Sequence, residues 1–254
     1  MALLELKDVC KTFGKLEAVC NLDFDVKKGE IHSLIGPNGA GKTTVFNLIT
    51  GTYPLTNGKI VFNGDDITRL QPHQTAQKGI GRSFQGTFLF MHQSVLDNLM
   101  IGFHMSCGAG VLKEFLHTPG ARKVDDECRK KALEIIEFMG LGTLKNELAG
   151  NLPHGHQRAL GVSIALACAP TLLMLDEPVT GMNPTETVEM VERIKKIRDT
   201  GITIILIEHT MRVVMNVSDR ITVLSYGKKI AEGLPEDIRN NQEVIEAYLG
   251  REEK

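Results

Sequence analysis

The sequence predicts an α/β fold: a mixed sheet forming a nucleotide-type core, an N-terminal antiparallel β subdomain, and an inserted α-helical subdomain. Three observations predict it. Short β-branched or apolar runs alternate with helical patterns at both ends of the 254-residue chain. A glycine-rich loop follows one of these runs and opens a helix. Between the two α/β stretches the apolar spacing is mainly helical.

Residues 3–10, 17–26 and 31–35 read as strands, separated by Gly14 and by Lys28-Gly29. A helix starts at Gly41 or Lys42 and runs to Ile49; Gly51 closes it and Pro54 follows. Residues 58–62 form a strand before the Asn63-Gly64 turn, and residues 80–84 a short buried one. Residues 94–103 and 125–139 are helical, the second placing Ala132, Leu133, Ile135, Ile136 and Met139 on one face. Residues 107–122, with Gly108, Gly110, Gly120 and Pro119, read as a loop. Strands follow at 172–175, 202–207, 221–224 and 228–231, and helices at 184–199, 235–240 and 242–249. The expected divisions are residues 1–93 for the first part of the core with the β subdomain, 94–165 for the helical subdomain, and 166–254 for the second part of the core.

Composition narrows the function. With 42% apolar and 24% charged residues the chain can bury a sizeable core. Its 29 basic and 31 acidic side chains leave a net charge of −2, so no global basic field exists to hold nucleic acid. Phosphate binding must be local. Cys10, Cys20, Cys107, Cys128 and Cys168 are scattered with no C-x-x-C pair, which argues against a disulfide framework and suits a reducing, cytoplasmic setting. The longest near-apolar stretch, residues 159–169, falls short of the ~20 residues that span a bilayer, so a membrane role requires separate membrane subunits.

The strongest motif is Gly36-Pro37-Asn38-Gly39-Ala40-Gly41-Lys42-Thr43-Thr44, a G-x-x-x-x-G-K-[ST] phosphate loop (P-loop) between a predicted strand and a predicted helix. Glycines let the backbone wrap so that several N–H groups point at one anion, and the helix behind adds roughly half a positive charge. Lys42 is then placed for the β- and γ-phosphates and the Thr43 hydroxyl for Mg²⁺. About one chain in a hundred of this length would match by chance. The apolar run Leu172-Leu173-Met174-Leu175 ends in Asp176-Glu177. Asp176 is positioned to contact Mg²⁺ indirectly, behind its directly bound groups, and Glu177 to polarise the attacking water as general base.

Lys42 and Asp176 are separated by 133 residues, more than a plain βαβ unit needs, and the second half of that stretch is helical. With these motifs the chain resembles, nearly end to end, the nucleotide-binding subunit of ATP-binding cassette transporters. The resemblance adds residues that spacing alone does not. Gln85, in Ser83-Phe84-Gln85, matches the glutamine that senses Mg²⁺ and the attacking water and couples to the membrane partner. Phe13 matches the aromatic that stacks on adenine, with Val19 as a second nucleotide contact. His209, which as a lone strand-end histidine would be an ordinary surface residue, matches the switch histidine at the γ-phosphate.

Asn151-Leu152-Pro153-His154-Gly155-His156-Gln157-Arg158 falls at the family's signature, where a helix N-terminus completes the nucleotide site of a partner protomer. Only Leu152 and Gly155 keep the usual form. Pro153 replaces the serine and His156 the first glutamine, which removes a hydroxyl donor; either His154 or His156 could substitute for it, and the resemblance implies Gly155 and His156 as contacts to the partner's nucleotide. Residues 178–184 occupy the D-loop, with Asn183 where the family generally has Asp.

The resemblance implies an Mg²⁺-dependent ATPase that pairs head to tail with a second ATPase subunit, identical or paralogous. Integral membrane permeases would be its direct partners and a solute-binding protein an indirect one, at the cytoplasmic face of a prokaryotic membrane. The Val45-Phe46-Asn47 continuation, Gly181-Met182-Asn183-Pro184 and the ending through Ala247-Tyr248-Leu249-Gly250 are similar to the branched-chain amino-acid importers, with urea and short-amide importers close by. A cassette ATPase acting in translation or DNA repair would carry a second cassette or long basic insertions. A metal site at His154-x-His156 would have only two ligands.

Overall fold

The protein is described by a computed structural model covering residues 2–83, 89–107 and 119–249. Its first part contains β1 (Ala2–Phe13), β2 (Leu16–Lys27), β3 (Ile31–Ile35), α1 (Lys42–Ile49), β4 (Asn57–Phe62), β5 (Asp65–Asp66), α2 (Pro72–Gln77) and β6 (Ile80–Arg82). A helical stretch follows, with α3 (Val95–Cys107), α4 (Pro119–Phe138) and α5 (His154–Ala167). The remainder runs β7 (Leu172–Asp176), α6 (Pro184–Asp199), β8 (Thr203–Ile207), α7 (Met211–Val217), β9 (Arg220–Ser225), β10 (Lys228–Gly233), α8 (Pro235–Arg239) and α9 (Gln242–Leu249).

Two sheets result. β1 and β2 pair as a long antiparallel hairpin, and β4 and β5 extend that sheet in the order β2-β1-β4-β5. The larger sheet has the order β10-β9-β3-β8-β7-β6, parallel throughout except for the β9–β10 hairpin. β3, β7 and β8 are buried at every position, the pattern of parallel strands covered on both faces.

Alternation along those strands divides the core. Leu173, Leu175, Ile204 and Leu206 face one side, packing with Leu99, Phe103, Ala132, Ile136, Ala159 and Val162 from the helical stretch. Leu172, Met174, Ile205 and Ile207 face the other, against α1 through Val45 and Phe46 and against the antiparallel sheet through Leu4, Phe24 and Phe62. The period of two in a strand sends successive side chains to opposite faces, and each such side chain contributes roughly 1.5–3 kcal/mol when fully buried.

Most elements fall within one to three residues of the sequence expectation, including α6 and α9 at their expected bounds. Three departures have physical reasons. The expected loop over 107–122 is helical from Pro119 onward, where proline's fixed φ and missing N–H suit a first helical turn. α3 begins at Val95 because Ser94 caps it: the Ser94 hydroxyl accepts the Asp97 N–H at 3.0 Å and donates to the Asp97 carboxylate at 2.6 Å. The short helices α2 and α7 were not expected, being six and seven residues long with little room for a periodic pattern.

Candidate active site

The phosphate loop leaves β3 at Gly36 and enters α1 at Lys42. Glycine is required at both ends of the turn. Gly36 has φ +149, and a Cβ there would run into the Leu224 carbonyl; Gly41 has φ +102, and its Cβ would lie 2.6 Å from the Ala18 carbonyl. Gly39, at φ +79, also takes a conformation L side chains rarely adopt. Val19 stands against the same turn, its Cγ2 3.6 Å from that Gly41 Cβ position. Gly36, Asn38, Gly39, Ala40, Gly41, Lys42, Thr43 and Thr44 are thus brought into one loop and helix start.

The Lys42 ammonium sits inside the loop, donating to the Gly36 carbonyl at 2.7 Å and the Pro37 carbonyl at 3.0 Å. Burial pushes it below the usual lysine range, opposed by the charges of Glu177 and Asp176. Both acids therefore reach the loop electrostatically, as the sequence expects. Burial raises the Tyr248 hydroxyl of α9 above its ordinary range, opposed by the Gly36 backbone, so the C-terminal helix comes up beside the loop's first residue.

Asp176 ends β7 and is 1% exposed. Its Oδ2 accepts from Arg82 Nη2 at 3.1 Å, and Arg82 Nη1 donates to the Asn47 amide oxygen at 2.6 Å. Burial raises the Asp176 carboxyl above its usual range against the opposing Arg82 charge. Asp176 Oδ1 is buried with no hydrogen-bond partner. A buried, unpartnered carboxylate oxygen fits the way Mg²⁺ is held, by one or two carboxylates plus substrate oxygens. Among the described residues no cluster of three or more His, Cys, Asp or Glu side chains forms a metal cage.

Glu177 follows with φ +51, a left-handed backbone uncommon for a residue with a side chain. Its N–H donates to the Ile207 carbonyl at 2.9 Å, which turns the chain back alongside β8. Its Oε1 lies 3.3 Å from His209 Nδ1, and its Oε2 accepts from the Thr180 hydroxyl at 3.4 Å. The His209 side chain is 47% exposed. The carboxyl ends of β3, β7 and β8 thus deliver the loop, the two acids and the histidine to one rim of the parallel sheet, the usual ligand side of such sheets.

The other expected residues lie differently. Phe13, 41% exposed, packs edge-on against Tyr53 with centroids 5.3 Å apart, and Lys11 Nζ lies 4.8 Å over its ring. Gly155 and His156 start α5 and pack beside the D-loop: a Cβ on Gly155 would stand 2.9 Å from the Glu186 carboxyl carbon, and one on Gly181 would stand 3.0 Å from the His154 ring. The His156 Nδ1 is buried without a hydrogen-bond partner. Asn183 caps α6, its side chain accepting the Glu186 N–H at 3.0 Å while Glu186 accepts the Asn183 N–H at 3.0 Å. Gln85 lies outside the described residues.

Sequence reasoning missed three contributors: Arg82, Glu208 and Tyr248. Arg82 carried a signal, a lone guanidinium closing a short buried strand. Glu208 carried another, an acid directly after the apolar run of β8, as Asp176 ends β7. Tyr248 had none, because nothing in a terminal helix marks which loop it meets.

Comparison with known proteins adds the family context. A family profile described as ABC transporter matches residues 19–180, and one described as branched-chain amino acid ATP-binding cassette transporter matches residues 228–254. The chain is 43% identical over 249 residues to the Salmonella typhimurium high-affinity branched-chain amino acid transport ATP-binding protein LivG, covering 98% of each chain. It is 40% identical to the Pseudomonas aeruginosa counterpart BraF at the same coverage. A crystal structure of the ADP conformation of an ATP-binding cassette from an ABC transporter superimposes with a TM-score of 0.87 at 31% identity, over 99% of this chain and 100% of that one.

Proposed function

Because this chain belongs to the ATP-binding cassette transporter family, we propose that its phosphate loop, Asp176, Glu177 and His209 form one ATP-hydrolysing site that powers solute uptake through separate membrane subunits. The chain is the ATPase of an importer, and branched-chain amino acids are its solute class. The observation that carries the site assignment is the convergence of Lys42, Asp176, Glu177 and His209 on one sheet rim.

Each group has a role that its surroundings support. The loop N–H groups and the α1 N-terminus bind the phosphates, and Lys42 leaves its two carbonyl acceptors to neutralise the β- and γ-phosphates. Asp176 Oδ1 and the Thr43 hydroxyl would hold Mg²⁺, which would offset the charge that develops on the phosphates during transfer. Glu177 takes the proton of the attacking water. His209 orients that carboxylate and faces the transferred phosphoryl group. Phe13, with Val19 beside the loop, takes the adenine.

One chain leaves the γ-phosphate open to water, and stabilising a dissociative transition state needs donors around a water-poor phosphoryl group. Gly155 and His156 at the start of α5 supply them to a second ATPase subunit packed head to tail. Phe90 and Met91, just ahead of the helical stretch 94–165, and Leu148 within it are exposed apolar side chains, with the Met91 carbonyl accepting the Gly150 N–H at 3.0 Å. That patch takes the permeases at the cytoplasmic face of the membrane; no described helix is long and apolar enough to cross one itself. The test is reconstitution with permeases and solute-binding protein in vesicles. ATP-dependent accumulation of labelled leucine supports the assignment; uptake of urea but not leucine overturns it.

A further inference from the structure

We propose that Glu208 is a positioning residue for hydrolysis, a buried carboxylate that sets the distance between Glu177 and His209; this rests on the hydrolytic roles given to those two residues above. Glu208 is the first residue after β8 and is fully buried. Its two carboxylate oxygens accept from different segments. Oε1 accepts the Val179 N–H at 3.2 Å, two residues beyond Glu177, and Oε2 accepts the His209 N–H at 3.2 Å. Burial raises the Glu208 carboxyl above its ordinary range, and the backbone donors around it oppose that shift.

The arrangement stitches two segments together. Glu177 is tied to β8 through its own N–H on the Ile207 carbonyl at 2.9 Å, and Val179, two residues on, is tied to Glu208, the residue directly after Ile207. The same carboxylate fixes the backbone from which the His209 ring projects. The 3.3 Å separation of His209 Nδ1 and Glu177 Oε1 is therefore framed on both sides by bonds that begin or end within residues 207–209. Enclosing a carboxylate costs several kcal/mol unless hydrogen bonds compensate. Packing alone would be met more cheaply by an apolar side chain; a two-sided acceptor is what joining two N–H-bearing segments demands.

Glutamine keeps the shape but not the chemistry, since its NH₂ group must face one of the two N–H donors. The experiment measures ATP turnover and nucleotide affinity of the full-length chain as Glu208→Gln, His209→Ala and the double variant. Glu208→Gln is expected to lower kcat about tenfold, the effect of one lost buried hydrogen bond. ATP affinity should stay within about twofold, because the phosphate loop is untouched. In the His209→Ala background the same change should cost under about twofold, since residues acting as a unit are not additive.

Full turnover in Glu208→Gln, a parallel loss of affinity, or an undiminished effect in the double variant overturns the proposal while leaving the roles of Glu177 and His209 intact. Unchanged turnover in His209→Ala removes those roles and this proposal with them. If circular dichroism shows Glu208→Gln unfolded, Glu208→Asp takes its place. That shorter carboxylate reaches one N–H group but not both, and the same pattern is expected.

Discussion

His209 Nδ1 stands 3.3 Å from Glu177 Oε1, joining the end of β8 to the residue after β7 across neighbouring parallel strands. The pair lies within one chain, so if Glu177 takes the proton of the attacking water as proposed above, its imidazole partner is in place before a second subunit packs against it.

Replacing Glu177 by Gln should separate binding from chemistry. Turnover is expected to fall something like 10²- to 10⁴-fold for a lost general base, while ATP affinity is retained because Lys42 and the loop are unchanged. Sizing chromatography with ATP should then show an accumulated dimer. A monomer under those conditions counts against the head-to-tail pairing.

Removing the Arg82 guanidinium takes a partner from the buried Asp176 and from the half-buried Asn47. The Arg82→Ala variant should lose about 3 kcal/mol of stability, as breaking one partner of a buried pair does. Burial would then raise the Asp176 carboxyl still further, so a proton competes more strongly with the cation. The Mg²⁺ concentration giving half-maximal hydrolysis should rise, and a titration showing the wild-type value would contradict the Asp176 assignment.

Gly155→Ala places a methyl 2.9 Å from the Glu186 carboxyl carbon and breaks the reciprocal cap of Asn183 and Glu186. A cap of this kind contributes about 1 kcal/mol. Thermal unfolding should register that loss. ATPase activity should fall more steeply than stability, because the D-loop and the start of α5 move together.

A cluster remote from the nucleotide site sets the acid limb of stability. Arg220 pairs with Asp25 at 2.7 Å, Glu30 at 3.0 Å and Glu232 at 3.0 Å. Burial pushes the Asp25 and Glu30 carboxyls up, but their hydrogen-bond and charge partners more than offset it, Arg220 for Asp25 and His32 for Glu30 foremost, so both lie below their ordinary values of 3.8 and 4.5. Carboxyls lowered on folding contribute stability that is present above the unfolded values and lost as pH falls through the folded ones. Arg220→Ala should be less stable than wild type at pH 7, with the gap closing below about pH 4. Urea unfolding across that range checks it; a gap unchanged at pH 3 would exclude the cluster as its source.

The loop, the acidic strand end and the α/β rhythm were legible because each is local. Gly36 to Thr44 encodes a backbone shape, and residues 172–177 encode an apolar strand with its charge at the exit. What joins them was not local. Arg82 reaches Asp176 across 94 positions of sequence and Val179 reaches Glu208 across 29, so neither pairing leaves a periodic trace. α7, Met-Arg-Val-Val-Met-Asn-Val, is β-branched enough to read as strand, and tertiary packing of Val213, Val214 and Val217 overrides that preference. The adenine contact stands least directly: Phe13 was placed by resemblance, and its ring meets Tyr53 and Lys11, neither of which the motif named.

β3 carries the phosphate loop, yet its neighbours on either side are β8 and β9, with Ile31 opposite Ile204 and Ser33 opposite Ile221. A ribosome must therefore synthesise some 170 further residues before the loop's own strand has anything to pair with. Until then a nascent chain has the triphosphate-gripping letters but no rigid frame to hold them. Incomplete products of translation would be unable to waste nucleotide, a safeguard written into strand order rather than into any regulatory residue.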